Sequence, residues 1–563
     1  MNGKTGNGYT GTPLYVAACM GHTEIVRQLL AHSAIDVSVD GKTDKGDTGT
    51  PLFVAVSKGH SEIAQQLLAH SAIDVNVDGR TDDGDTGTPL FVAASMGHTE
   101  IVQLLLAHSA IDVNVDGRTD GGDTGTPIFV AACMGHTEIV RQLLAHSAIS
   151  VNKKGEIGTD TSTPLYEAVL LGYVEIVWLL LAHSAIHVNE KGEEDGHTGT
   201  PLTAAVSNGH TGMVQQLLAH SAIDVNIKGG TGNGDIGTPL FIAACNGHTE
   251  IAQHLLAHSA IDVNVDGRTG GGDTGTPLFV AASMGHTEIV QQLLAHSAID
   301  VNIKGGTGNG DIDTPLFIAD SKGHTEIVQQ LLAHSVIGVN MKGGIGDGDI
   351  GTPLFVAASK GHIEIARDNI DVNLTNRNGE TLLIIAARND HVKVVRQLLE
   401  HCANIDIYSG QVSHDGYSTS VIPMLRYSVP PILLATLLGN GDDDDKFAIT
   451  QEILQRSVNN TPNITSTYQA WCLKNFNTLG KPSLLGSLLA SLTPSDISEA
   501  IFCSFRSRVL NSSQLSKLLE ASPSRVEIRK DIIVAATPAD STIISTMGQH
   551  DEKCAGAGID YEP

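Results

Sequence analysis

The chain has 563 residues, of which 62 are acidic and 34 basic, and its formal net charge is −28 at pH 7. So acidic a protein is a poor match for nucleic acid, whose phosphates need clustered Lys and Arg, and basic or neutral protein partners are expected instead. The most apolar run, residues 421–438, contains three prolines and an arginine, so no membrane-spanning segment is predicted.

The chain repeats one unit of about 38 residues from residue 12 onward. Successive repeats begin at Thr12, Thr50, Thr88, Thr126, Thr163, Thr200, Thr238, Thr276, Thr314, Thr352 and Thr381, and all but the last of these threonines precede proline. Self-similarity at a fixed period of roughly 20–50 residues is the signature of a solenoid, in which each repeat packs only on its neighbours. We therefore predict an array over residues 12–407, preceded at residues 1–11 by an N-terminal extension that corresponds to part of the hairpin at the end of a repeat.

The repeat that begins at Thr88 predicts two short helices. Thr88 suits a helix N-cap and Pro89 the first helical position, where a backbone N–H is not needed. Gly97 is expected to end this helix, and a second helix should start at His98 or Thr99. The apolar stripe of the second helix consists of Ile101, Val102, Leu105 and Leu106.

The same repeat closes with an extended segment and a glycine-rich turn. Residues Ile111–Val115 alternate in polarity, which predicts a strand. Glycines at positions 117, 121, 122 and 125 predict a long turn that leads to the next Thr-Pro pair. Each repeat is thus predicted to be a helix pair followed by a protruding hairpin, called the finger below.

The segment TPLFVAASMGHTEIVQLLLAHSAIDVN at residues 88–114 resembles the ankyrin repeat, whose familiar form is TPLHxAAxxGHxEIVxxLLxxGADVN. The resemblance implies an all-α ankyrin-repeat solenoid over residues 12–407, with a β-hairpin finger in each repeat. Two departures are visible. Aromatic residues such as Tyr15 and Phe91 replace the histidine of TPLH, so its usual side-chain hydrogen bond is expected to be absent, and Ser109 stands where the family has glycine.

The end of the chain departs from this pattern. Repeat ten, residues 352–380, is truncated after GHIEIA and lacks most of its second helix. Periodicity ends at residue 407, and we predict a linker at 408–441, a small irregular helical module at 442–537 and a flexible tail at 538–563. Residues Leu492–Phe505 resemble the start of an F-box, although the tryptophan expected downstream is missing.

Neither the histidines nor the acidic fingers predict a metal site. The histidines occupy fixed repeat positions, such as those of His98 and His108, so their simplest role is structural. Residues Asp112–Asp123 and Asp74–Asp85 match the first half of an EF-hand calcium loop, but no glutamate closes the loop. We predict no metal, no cofactor and no catalytic residues, because the sequence contains no motif for a nucleophile or a nucleotide.

The resemblance to ankyrin proteins also implies modification sites. The segment LAHSAIDVN is similar to the Leu-x5-Asp-Val-Asn site of the asparaginyl hydroxylase that modifies ankyrin proteins. The matching residues are Asn76, Asn114, Asn226, Asn264 and Asn302. Because the same segment is the ordinary hairpin consensus, most of these residues are expected to be unmodified.

Repeat five, which begins at Thr163, is the predicted partner-binding site. It reads TPLYEAVLLGYVEIVWLL, with large apolar residues at positions that are normally exposed in an ankyrin-like repeat. The candidate contact residues are Glu167, Leu170, Leu171, Tyr173 and Trp178. In ankyrin-like packing the end of the first helix faces the concave groove. The alternative is that repeat five has drifted, so that its leucines cover a neighbouring helix.

These observations predict a non-enzymatic, monomeric interaction scaffold that binds a protein through the concave face and the fingers. The alternative function is a substrate adaptor for a ubiquitin ligase, acting through the C-terminal helical region. Cys19, Cys133 and Cys245 occupy the same position in different repeats and cannot pair within the array. This distribution indicates a reducing compartment, the cytoplasm or alternatively the nucleus.

Overall fold

The computed structural model of the chain describes residues 3–4, 10–344, 350–361, 372–374, 381–389 and 391–400. The chain divides into two compact segments, Met1–Gly310 and Asp311–Pro563. The predicted linker, helical module and tail, the F-box-like stretch and the truncated helix of repeat ten all lie outside the described residues.

Each of the eight repeats in the first segment contains two short helices. The helices are α1 Pro13–Cys19, α2 Thr23–Leu30, α3 Pro51–Ser57, α4 Ser61–Leu68, α5 Pro89–Ser95, α6 Thr99–Leu106, α7 Pro127–Cys133, α8 Thr137–Leu144, α9 Pro164–Leu170, α10 Val174–Leu181, α11 Pro201–Ser207, α12 Thr211–Leu218, α13 Pro239–Asn246, α14 Thr249–Leu256, α15 Pro277–Met284 and α16 Thr287–Leu294. First helices stack on first helices and second helices on second helices. The predicted helix-pair solenoid is therefore confirmed in this segment.

The helix boundaries follow from the capping residues. The Thr88 hydroxyl oxygen accepts a hydrogen bond from the backbone N–H of Phe91 at 3.3 Å, and Pro89 begins α5. Gly97 has a φ of +75°, a left-handed conformation that favours glycine and ends the helix. The second helix begins at Thr99, as predicted, and the preceding His98 side chain makes no capping hydrogen bond.

The core of each repeat is formed by the predicted apolar stripe. In the repeat that begins at Thr88, Leu90 and Phe91 from α5 and Ile101, Val102 and Leu105 from α6 are all buried. Leu106, predicted to belong to this stripe, is only half-buried. Each fully buried side chain of this size contributes about 1.5–3 kcal/mol, so the stacked helices are the main source of stability.

The fingers are short antiparallel hairpins. Their strands are β1 Gly3–Lys4, β2 Thr10–Gly11, β3 Gly41–Lys42, β4 Thr48–Gly49, β5 Gly79–Arg80, β6 Thr86–Gly87, β7 Gly117–Arg118, β8 Thr124–Gly125, β9 Gly155–Ile157, β10 Asp160–Ser162, β11 Gly192–Glu194, β12 His197–Gly199, β13 Gly229–Gly230, β14 Ile236–Gly237, β15 Gly267–Arg268, β16 Thr274–Gly275 and β17 Gly305–Gly306. Strands β1 to β10 form one ten-stranded sheet in sequence order. Neighbouring fingers are thus joined edge to edge.

The predicted strand at Ile111–Val115 is wrong. This stretch has no strand, and the first strand of the finger is the two-residue β7. The Asp112 carboxylate accepts a hydrogen bond from the backbone N–H of Asn114 at 3.0 Å. Such a local bond closes a turn and takes the place of hydrogen bonds to a neighbouring strand. Of the apolar residues in this stretch only Val113 is buried, so the polarity alternation does not mark a strand.

The aromatic residue that replaces the family histidine secures the finger. The Phe91 ring lies directly beneath Gly117, where an added Cβ would stand 2.3 Å from the ring. In the first repeat the Tyr15 hydroxyl donates a hydrogen bond to the backbone oxygen of Asp47 at 3.3 Å. Tyr15 thus makes a side-chain hydrogen bond of its own at the position of the family histidine.

The second segment continues the same elements. They are β18 Ile312–Asp313, α17 Pro315–Lys322, α18 Thr325–Ala333, β19 Gly343–Gly344, β20 Ile350–Gly351, α19 Pro353–Lys360, α20 Leu382–Arg388 and α21 Val392–Glu400. Helix α19 packs on α20, and α20 packs on α21. Among the described residues, no helix combines the length and the apolarity that crossing a bilayer requires.

Candidate interaction surface

Repeat five carries a group of exposed apolar side chains around the turn between its two helices. Leu171 is 47% exposed, Val174 50% and Trp178 56%. Leu171 caps the end of α9, Val174 is the first residue of α10, and Trp178 follows one helical turn later. We call these three residues the repeat-five patch. Its members are kept out of the core because Ile176, Val177 and Leu180 already occupy the buried face of α10.

Val174 was missed by the sequence analysis although it belongs to this patch. Repeats one to four and six to nine carry threonine or serine at this position, as at Thr137 and Thr211. Residues four positions apart lie on the same face of a helix, so Val174 and Trp178 share one face of α10. The replacement of Thr by Val at a helix start was the available signal.

Charged residues border the repeat-five patch. Arg141 of α8 forms ion pairs with Glu138 at 3.1 Å and, across the repeat boundary, with Glu175 of α10 at 2.8 Å. Trp178 holds in repeat five the position that Arg141 holds in repeat four. In repeat six, Gly212 holds the position of Glu175. An added Cβ at Gly212 would meet nothing within 4 Å. The patch is therefore bordered by the ion-paired Glu138, Arg141 and Glu175 on one side and open on the other.

Tyr173 packs repeat five on repeat four at the position that other repeats fill with histidine. In most repeats a histidine stands at this position, and His136 approaches the backbone oxygen of Ser95 at 3.1 Å through its Nε2 atom while covering Gly97. The half-buried Tyr173 ring covers Gly135 in the same way. Tyr173 is thus mainly a packing residue, and the half-buried Leu170 lies at the edge of the patch.

Glu167 does not belong to the surface. It is only 4% exposed, and the buried Ser162 hydroxyl donates a hydrogen bond to its Oε1 atom. Burial raises the pKa of the Glu167 carboxyl, and the nearby carboxylates of Glu194, Asp123 and Asp160 raise it further. A partner cannot reach this side chain in the folded repeat, so Glu167 is not a contact residue of the folded protein.

The asparagines of the predicted modification sites join neighbouring repeats. The Asn114 side-chain N–H donates to the backbone oxygen of Ala148 at 2.7 Å, and its Oδ1 accepts from the backbone N–H of Ser150 at 2.8 Å. Asn76, Asn226 and Asn264 form the same bridge to the next repeat. For Asn302 the backbone N–H is bonded to Asp300 at 3.0 Å. Where the bridge forms, both ends of the amide are engaged.

The finger carboxylates are also engaged within the protein. Asp116 forms an ion pair with Lys153 at 2.9 Å, and Asp123 accepts a hydrogen bond from the backbone N–H of Gly158 at 3.3 Å. Asp85 accepts from the backbone N–H of Asp120 at 2.9 Å. In the part of the chain that the structure describes, no group of three or more His, Cys, Asp or Glu side chains is arranged to hold a metal ion.

Comparison with known proteins decides the family. A family profile described as "Ankyrin repeats (3 copies)" matches residues 2–79, 75–155, 117–192, 189–266 and 230–305, and one described as "Ankyrin repeats (many copies)" matches residues 354–399. The chain belongs to the ankyrin repeat family. Ankyrin repeats generally mediate protein–protein interactions, and proteins of this family are typically non-enzymatic scaffolds.

Solved ankyrin repeat structures resemble parts of this ankyrin repeat protein. An ankyrin repeat domain from Acinetobacter baumannii is 28% identical, with 37% of this chain and 97% of that chain covered and a TM-score of 0.30. A second ankyrin repeat protein is 28% identical over 37% of this chain and 97% of its own, with a TM-score of 0.31. No curated protein matches the chain.

Proposed function

We propose that this ankyrin repeat protein is a non-enzymatic scaffold that binds a protein partner, with the repeat-five patch as a principal contact. The observation that supports this proposal is the concentration of Leu171, Val174 and Trp178, all about half exposed, in one repeat of an otherwise regular array. Exposed apolar groups rimmed by polar residues are typical of interaction sites, and Trp is a frequent binding anchor.

The contact extends along the ends of the first helices. Met134 occupies the position of Leu171 in repeat four and is also exposed. The ends of the first helices and the fingers together form the surface that, by resemblance to the family, lies on the concave face. Helix α10 adds Val174 and Trp178 at the turn, so the proposed partner reaches around the helix ends.

Acidic residues near the patch support a partner segment that carries positive charge. Glu138 and Glu175 lie beside it, and the chain as a whole carries a net charge of −28. We infer a partner segment that inserts an apolar side chain and flanks it with Lys or Arg. Long-range attraction between opposite charges accelerates such an encounter, and the buried apolar contact holds the complex.

The test replaces the three patch residues with the residues of the next repeat. The triple variant Leu171→Asn, Val174→Thr and Trp178→Gln places in repeat five the residues that repeat six carries, namely Asn208, Thr211 and Gln215. Because repeat six forms both helices with these residues, the fold should be retained. Met284→Asn is the control, since it removes an exposed apolar side chain at the Leu171 position of repeat eight.

Proximity labelling with the full chain identifies binding proteins, and the affinity of the recovered protein is then measured for each variant. We expect the triple variant to lose about 2 kcal/mol or more of binding free energy and Met284→Asn to leave the affinity unchanged. Equal affinity of the triple variant and the wild type would place the contact elsewhere. Recovery of ubiquitin-ligase subunits that depends on residues 410–563 would favour the adaptor function instead.

A further inference from the structure

A straight line of cations crosses the finger sheet of the first four repeats. The register places Lys42 opposite Thr48, Thr48 opposite Arg80, Arg80 opposite Thr86 and Thr86 opposite Arg118. Residues that pair directly across antiparallel strands project from the same face of a sheet. Lys42, Arg80 and Arg118, called the finger cation row below, therefore share one face, with threonines between them.

The row faces away from the helices. The glycine that precedes each cation packs on an aromatic ring of the first helix, and a Cβ added at Gly41, Gly79 or Gly117 would stand 2.2–2.4 Å from the ring of Tyr15, Phe53 or Phe91. Since neighbouring residues of a strand project from opposite faces, the cations lie on the other face. All three side chains are exposed.

The cations of the row are available to a ligand. None of the three forms an ion pair or a side-chain hydrogen bond with another described residue. Two nearby finger carboxylates are instead paired with other cations, Asp82 with Lys58 at 2.9 Å and Asp116 with Lys153 at 2.9 Å. The row ends where Glu156 takes the cation position opposite Thr124.

The spacing of the row selects the shape of the ligand. Consecutive cations are two strands apart, which corresponds to roughly 10 Å. In a polyproline II segment every third residue faces the same side, at intervals of about 9 Å. A carboxylate at every third position of such a segment would therefore meet one cation after another, and Thr48 and Thr86 would offer hydroxyl groups between them.

We propose that the finger cation row binds an extended acidic segment of a protein, with acidic side chains three residues apart. This surface is separate from the repeat-five patch. Its ligand is acidic, whereas the partner segment inferred for the repeat-five patch carries Lys or Arg. A nucleic-acid strand fits less well, because its phosphates follow one another more closely than the cations do.

The experiment measures binding of a labelled peptide of four Glu-Pro-Pro repeats to the full chain by fluorescence anisotropy at low ionic strength. Arg80→Gln is the test variant. Arg268→Gln is its matched control, because Arg268 holds the same finger position with the same exposure in repeat seven, but faces Ile236 and no second cation. Both variants change the net charge equally.

We expect Arg80→Gln to weaken peptide binding about threefold to tenfold and Arg268→Gln to leave it unchanged. A peptide of the same composition with its four glutamates consecutive should bind more weakly than the spaced peptide. Equal losses in the two variants, equal binding of the two peptides, or absence of binding by the wild-type protein would overturn the proposal. Tighter binding of a single-stranded oligonucleotide than of the spaced peptide would also overturn it.

Discussion

Ile25 and Ile63 occupy the same position in successive repeats, yet Ile25 is 49% exposed and Ile63 only 1%. The difference arises because the helix pair α1 and α2 covers one side of α3 and α4, whereas no described helix pair covers α1 and α2 from that side. In a solenoid, burial of a residue thus depends on the neighbouring repeat as much as on its own.

This difference predicts unequal costs for the same substitution. Ile63→Ala should destabilise the array by about 2–5 kcal/mol, because it leaves a cavity between two repeats. Ile25→Ala should cost less than about 1 kcal/mol, since its side chain is largely in water already. Urea unfolding followed by circular dichroism measures both. Equal shifts of the midpoint would contradict the neighbour-dependent burial.

The asparagine bridge predicts a loss and a gain of stability. Asn114→Ala should lower the free energy of unfolding by about 1–3 kcal/mol, because it removes two hydrogen bonds to the next repeat. Ser38 stands at this position in the first repeat, where its hydroxyl donates to Asp36 at 2.6 Å. Ser38→Asn should add the missing bridge and stabilise the array by about 1 kcal/mol.

Thermal unfolding measures both changes, and Asn114→Asp separates the donor from the acceptor. The aspartate keeps the bond from the Ser150 N–H but cannot donate to Ala148, so we expect an intermediate loss. If Asn114→Ala unfolds at the wild-type temperature, the bridge contributes nothing to the coupling of repeats.

Buried Glu167 predicts a pH-dependent stability difference. Because the folded protein raises the pKa of this carboxyl, it binds the proton more tightly than the unfolded chain does. The stabilisation that comes from protonated Glu167 is fully present below the pKa of about 4.3 in the unfolded chain. It is lost as the pH rises through the pKa in the folded protein. Glu167→Gln retains an oxygen for Ser162 without the charge, so it should stabilise the protein increasingly from pH 4 to pH 8.

The expected gain at pH 8 is about 1 kcal/mol or more, measured by urea unfolding at both pH values. Glu100→Gln, at an exposed position of α6, is the control and should change stability by less than about 0.5 kcal/mol. A Glu167→Gln effect of the same size at pH 4 and pH 8 would show that the charge of Glu167 is not the cause.

Much of the local structure could be predicted from single repeats. The Thr-Pro caps, the glycine at the end of the first helix and the apolar stripe act through residues three or four positions apart, so they are visible in the sequence. The strand predicted at Ile111–Val115 failed because polarity alternation does not distinguish a ladder from a turn closed by the Asp112 side chain.

By itself, the sequence determined the repeat period, the helix pairs and the location of the unusual repeat, since these follow from local residue patterns. Only the tertiary structure decided that Glu167 is buried, that Val174 joins Leu171 and Trp178 at the surface, and that Lys42, Arg80 and Arg118 share one sheet face. The physical reason is that burial and strand register are set by contacts between repeats, whose residues lie more than 30 positions apart in the chain.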